Sequence, residues 1–115
     1  MACELCEMER DAERMQEDAV RRAAKVDDNQ REIVAALRRA GCSVQSLAGI
    51  GRGCPDLLVG RAGRNYALEI KDGRKPPSAR KLTPDETAWL EAWHGQAAVV
   101  TSVETALAAV GLGGA

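Results

Sequence analysis

Two short apolar segments constrain this chain more than any other feature: Leu57-Leu58-Val59 and Tyr66-Ala67-Leu68-Glu69-Ile70-Lys71. Gly60 to Asn65 between them is turn material, so the two segments are expected to fold back on each other as an antiparallel pair. A turn centred on Ala62-Gly63 sets Val59 opposite Tyr66, Leu57 opposite Leu68 and Asp56 opposite Glu69. Directly opposed side chains have Cβ atoms about 4.5–5.5 Å apart. The side-chain period of two places Glu69 and Lys71 on one face and turns Leu68 and Ile70 the other way, toward the first helix or a later Trp-bearing helix. One register thus gathers Asp56, Glu69 and Lys71 on a single patch. Two carboxylates that close repel each other unless a cation lies between them.

The rest of the chain supplies layers for this hairpin. Residues 1–26 are helix formers with a thin apolar stripe, expected as a helical extension or docking segment outside the domain at 27–115. A helix follows over about residues 29–40, capped by Asp27 or Asp28 and ended by Gly41. Its buried face is Ile33, Val34, Leu37 and Ala40, with Gln30 at the start of that face. Cys42 to Leu47 alternates as a first strand. The loop from Ala48 to Gly53 holds three glycines. It is not a phosphate-cradling P-loop, because the Lys-Ser/Thr ending is missing and a strand follows. Leu57-Leu58-Val59 reads as a strand covered on both faces. Adjacent prolines and a glycine make residues 72–81 an extended basic loop without regular structure. Thr83-Pro84-Asp85-Glu86 starts a helix with a capping box, and its Trp89 and Trp93 share one face as core anchors. Ala97 to Val100 is a fourth strand, and Thr101 to Glu104 starts a last helix. The expected fold class is α/β, a mixed sheet with αβββαβ at its centre.

Charge is distributed unevenly. The net charge of −1 combines an acidic first segment (residues 1–32: 6 basic, 10 acidic) with a basic middle (residues 49–81: 8 basic, 3 acidic). Arg52, Arg61 and Arg64 flank the paired strands, and Arg74, Lys75, Arg80 and Lys81 follow them. Such a zone suits a phosphate backbone, and a solvated loop rich in Lys and Arg has the same composition. Of the four cysteines, only Cys3 and Cys6 have ligand spacing, so free thiols in a reducing compartment are expected rather than a zinc site. No apolar run reaches membrane length and no signal peptide is visible, so a cytoplasmic location is expected.

Asp56, Glu69 and Lys71 have a chemical use together. Hard carboxylate oxygens bind magnesium or manganese, with the backbone carbonyl of Ile70 as a further ligand. The ion stabilises charge on a phosphate and activates water, while Lys71 orients that water or stabilises the transition state. Salt bridges at a strand end, Glu69 with Lys71 and Asp56 with Arg52, account for the same residues without chemistry. Pro55-Asp56, a hairpin and Glu69-Ile70-Lys71 resemble the signature of the PD-(D/E)XK nuclease superfamily. The Gly51-x-Gly53-x-Pro55-Asp56 lead-in, the basic loop after Lys71 and the Leu82-Thr83-Pro84 helix start resemble its VRR-NUC (virus-type replication-repair nuclease) branch, which is similar to Holliday-junction resolvases. The likeness spans about residues 28–105.

The resemblance implies a restriction-endonuclease-like core and a divalent-metal-dependent DNA endonuclease. Asp56 and Glu69 would be ligands of Mg2+ or Mn2+, and Lys71 the catalytic lysine. It also implies structured or branched DNA as substrate and a homodimer, with residues 1–26 available to dock into a larger replication or repair assembly. Two positions depart from the family pattern. Gln30 stands where a first-helix glutamate is usual, and Glu86 stands where the second helix usually has glutamine. Both are candidate supporting residues around the metal. Gln30 also keeps open a nuclease-fold module that binds nucleic acid without cutting it, and residues 1–26 as a docking helix keep open a small subunit of a replication/repair or restriction assembly.

Overall fold

The hairpin forms in the expected register. Strand β2 (Leu57–Arg61) pairs antiparallel with β3 (Arg64–Ile70), with Leu57 opposite Leu68 and Val59 opposite Tyr66. The turn uses Ala62 (φ 51°) and Gly63 (φ 77°), both in the left-handed region that lets a two-residue turn follow the strand twist. The computed structural model describes residues 28–113. The expected extension over 1–26, with Cys3 and Cys6, lies outside the described residues.

Helix α1 (Asp28–Arg39) has an acid in its first turn and Arg38 and Arg39 in its last, matching the helix dipole at both ends. Gly41 (φ 92°) ends it: its N–H donates to the Arg38 carbonyl at 3.0 Å, and the Cys42 N–H donates to the Leu37 carbonyl at 3.0 Å. These two bonds satisfy carbonyls the helix leaves over, and only a glycine adopts that φ without strain. Strand β1 (Ser43–Ser46) pairs antiparallel with β2, and β4 (Gln96–Val100) pairs parallel with β3. The sheet order is β1-β2-β3-β4, a mixed sheet of the α/β class consistent with a restriction-endonuclease-like fold. Helix α2 (Pro84–Ala92) lies in the β3-to-β4 crossover, and α3 (Val103–Ala109) follows β4.

One face of the sheet holds the core. Leu57, Val59, Leu68, Ile70 and Val100 pack against Ile33 and Leu37 of α1 and against Ala106 and Val110 at α3. Leu68 and Ile70 therefore face the first and last helices, not the Trp-bearing helix. Ala40, expected on the buried face of α1, is exposed.

Three expectations are corrected. Helix α2 buries no residue, and Trp93 is 50% exposed. The two indoles stack on each other with ring centroids 4.6 Å apart instead of entering the core. Four-residue spacing put them side by side, and their mutual contact already removes apolar area from water. Strand β2 is covered on one face only: Leu57 and Val59 are buried while Leu58 is 36% exposed. The loop 72–81 contains one turn of 3-10 helix at Pro77–Ala79, because Pro76 and Pro77 preset the backbone of its first positions.

Candidate active site

The site forms where β2 begins and β3 ends. One step beyond the Leu57–Leu68 pair, the Asp56 side chain replaces backbone pairing: the Ile70 N–H donates to Asp56 Oδ2 at 2.8 Å. The preceding Pro55 is fully buried, and the Asp56 carbonyl accepts from the Leu47 N–H at 2.8 Å. Asp56 is thereby fixed from both neighbouring strands. The N–H and C=O of one strand residue point to the same side, so the Ile70 carbonyl opens on the side where Asp56 lies.

Glu69 is opposite Val99 on the sheet face away from the core and is only 3% exposed. Burial pushes its carboxyl up from 4.5 to about 9, and a hydrogen bond to the Glu86 carboxyl and the negative charges of Asp56 and Glu86 push the same way. Lys71 pulls against them. Lys71 Nζ sits 3.5 Å from Glu69 Oε1 and 2.9 Å from Glu86 Oε1. Burial disfavours the ammonium, but these carboxylates overcome it and raise the Lys71 pKa. Glu86 is the ionised member of the acid pair. Burial opposes its charge, yet hydrogen bonds from Glu69, the Thr83 N–H and Lys71 hold it down at about 2. One proton is thus shared between Glu69 and Glu86, with Lys71 bound across them.

Helix α2 delivers Glu86 to this point. Thr83 and Glu86 form a reciprocal capping box: the Thr83 N–H donates to Glu86 Oε1 at 2.8 Å and the Glu86 N–H donates to Thr83 Oγ1 at 3.2 Å. The same carboxylate therefore caps the helix and pairs with Lys71. Gly53 sets how closely the helix approaches. A Cβ there would overlap the Asp85 carbonyl and lie 2.7 Å from the Glu86 nitrogen, and its φ is 77°. The glycine-rich loop thus serves as a backbone seat for the start of α2.

Asn29 is the residue that sequence reasoning missed. It is 4% exposed, and its Nδ2 donates to the carbonyls of Lys71 at 3.1 Å and Thr101 at 3.2 Å. It ties the start of α1 to the chain just past β3 and β4. A signal was available: Asn29, Ile33 and Leu37 recur every four residues as the buried stripe of α1. Gln30, expected near the site, is half-buried and engaged, and its neighbour Asn29 bonds the site backbone.

The predicted basic residues divide. Arg52, Lys75 and Lys81 are exposed. Arg74 is exposed and paired with Asp72 at 3.1 Å and, more loosely, with Glu32 at 3.8 Å. These contacts lower the Asp72 pKa and raise that of Arg74. Arg80 is half-buried, with its Nε buried and unpartnered. Arg61 is structural: its Nη1 donates to the Val110 carbonyl at 3.1 Å, satisfying the end of α3. Cys54 borders the acids as a free thiol, and burial, Glu69 and Asp56 raise its pKa. That environment disfavours the thiolate. No helix among the described residues is long and apolar enough to cross a membrane.

No family model and no curated protein sequence matches the chain. A solved structure described as a VRR_NUC domain matches it with a TM-score of 0.54 and 25% identity, covering 76% of this chain and 91% of that one. That match bears out the mixed α/β fold and the resemblance to a VRR-NUC domain. Sheet order and structural match together support a VRR-NUC nuclease domain.

Proposed function

We propose that the chain is a divalent-metal-dependent endonuclease that hydrolyses phosphodiester bonds in structured or branched DNA. The observation that carries this reading is the convergence of Asp56, Glu69 and Lys71 at the end of one hairpin, with three carboxyls set against one ammonium. Glu69 meets the surplus of negative charge by keeping a proton. A cation would meet it equally well.

The residues fit such an ion. Among the described residues, no three His, Cys, Asp or Glu side chains form a metal-holding group. The donors on offer are the two carboxylates Asp56 and Glu69 and the Ile70 carbonyl, with water in the remaining positions. That suits magnesium or manganese, which bind hard oxygen donors and retain waters. When bound, the ion supplies charge for the phosphate oxygens and lowers the pKa of a coordinated water.

The chain's own groups do the rest. Lys71 presents an ammonium to the charge that develops on the phosphate in the transition state. Glu86 keeps that ammonium protonated and fixed in direction, from the position where the family pattern has glutamine. Asp56 is held in one orientation by the Ile70 N–H, so its oxygens need no reorganisation on binding a cation. Arg52, Arg74, Lys75 and Lys81 provide phosphate contacts that orient the nucleic acid without reading its sequence. Arg80 lies in the same loop.

A panel of linear, nicked, flap and four-way DNA, incubated with purified protein and Mg2+ or Mn2+, tests the proposal. Metal-dependent cleavage that favours the branched substrates supports it. Absence of cleavage on every substrate with either metal contradicts it.

A further inference from the structure

The sheet face that carries Glu69 does not end at the acids. Along β3, Asn65, Ala67 and Glu69 share this face, and Leu58 of β2 lies opposite Ala67. Beside them is a cavity of about 390 Å3 bordered by Leu58, Arg64, Asn65, Ala67, Trp93 and Gln96. Its volume falls in the range of small-ligand sites, about 300–1,000 Å3. Trp93 is 50% exposed, Leu58 36% and Val99, next to Glu69, 41%. Because Trp93 stacks on Trp89 at 4.6 Å with the rings 16° apart, one indole is braced by the other.

We infer that this cavity is a subsite for one unpaired nucleobase of the nucleic-acid substrate, stacked on Trp93 and edged by Asn65, Gln96 and Arg64. Three observations select this occupant. A braced aromatic face accepts any base by stacking. Amide side chains and a guanidinium supply both donors and acceptors for a base edge or its phosphate, a mixture a purely apolar partner would leave unsatisfied. Placement agrees as well: Ala67 at the cavity and Glu69 lie two residues apart on one face of β3, about 7 Å, close enough for neighbouring nucleotides of one strand. A strand whose phosphate lies at Glu69 can therefore set a base one or two positions away into the cavity. The register of that strand relies on the phosphodiesterase reading; the stacking site does not.

The test separates the two. Binding of a short fluorescein-labelled oligothymidylate and of a blunt two-strand duplex is measured by anisotropy in EDTA, where no cleavage occurs, for wild type, Trp93→Phe and Trp93→Leu. Trp93→Leu keeps apolar volume and removes the aromatic face. It is expected to weaken single-strand binding about 5- to 50-fold, with Trp93→Phe within about threefold of wild type and duplex binding unchanged in both. Equal single-strand affinity in all three proteins overturns the inference, as does an equal loss on the duplex. Light scattering that shows a wild-type dimer and a Trp93→Leu monomer also overturns it, by assigning the patch to a second copy of the chain. Cleavage of the DNA panel with unaltered Trp93→Leu binding would leave the nuclease reading standing alone.

Discussion

Lys71 and Glu86 are joined by a two-oxygen contact, with Nζ 2.9 Å from Oε1 and 3.2 Å from Oε2. They are 15 residues apart, one just past the end of a strand and the other in the first turn of a helix. The contact makes the lysine's direction depend on where α2 begins.

Glu86→Gln tests that dependence. Glutamine keeps an oxygen for the Thr83 N–H, so the helix cap survives, and the stability loss is confined to the charged contact with Lys71, about 1.5–3 kcal/mol. The ammonium loses its ionised partner, and kcat is expected to fall about tenfold with little change in KM. Steady-state cleavage kinetics alongside urea unfolding measure both. Equal loss of kcat and stability would mean that Glu86 acts on the fold alone.

The shared proton gives a pH signature. With the Glu69 pKa raised from 4.5 to about 9, the folded protein holds a proton that the unfolded chain has released throughout that window. Metal-free stability should therefore fall as pH rises from about 5 to 9, by at most about 1.4 kcal/mol per unit. Glu86 contributes the opposite limb: held at about 2, it adds stability above the ordinary carboxylate range that is lost as pH falls toward 2. Melting temperatures in EDTA should decline as pH rises from about 5 to 9 for wild type and stay level for Glu69→Gln. Binding of Mg2+ or Mn2+ near neutral pH should release about one proton, measurable by calorimetry in buffers of different ionisation enthalpy.

Asn29→Ala removes the donor to two carbonyls, those of Lys71 and Thr101. A loss of about 1–3 kcal/mol is expected, because both acceptors lie in a partly buried environment. Asn29→Asp is expected to cost more, since it sets a carboxylate against the same oxygens. Chemical denaturation of both variants checks the order.

How much of this was legible in the sequence follows from the range of each interaction. The hairpin register was fully readable, because one turn and a period of two determine which residues face each other. The Asp56–Glu69–Lys71 patch came with it. The fate of Trp89 and Trp93 was not readable: helical spacing says that two side chains share a face, not which side of a sheet that face meets. The same gap hid the exposure of Leu58, since an apolar run does not reveal whether a layer covers it. Asn29 was missed because its acceptors are 42 and 72 residues away, and no local pattern points to them. Gly53 was read as one of three loop glycines, whereas its role is close approach to the backbone at Asp85 and Glu86.

Metal-dependent cleavage by wild type, Asp56→Asn and Lys71→Met tests the central claim most directly. Neither substitution disturbs the core face of the sheet, and far-UV circular dichroism confirms that each variant is folded. The account predicts that both variants lose about 100-fold or more in rate while retaining DNA binding in EDTA. Cleavage at the wild-type rate by either folded variant would contradict it.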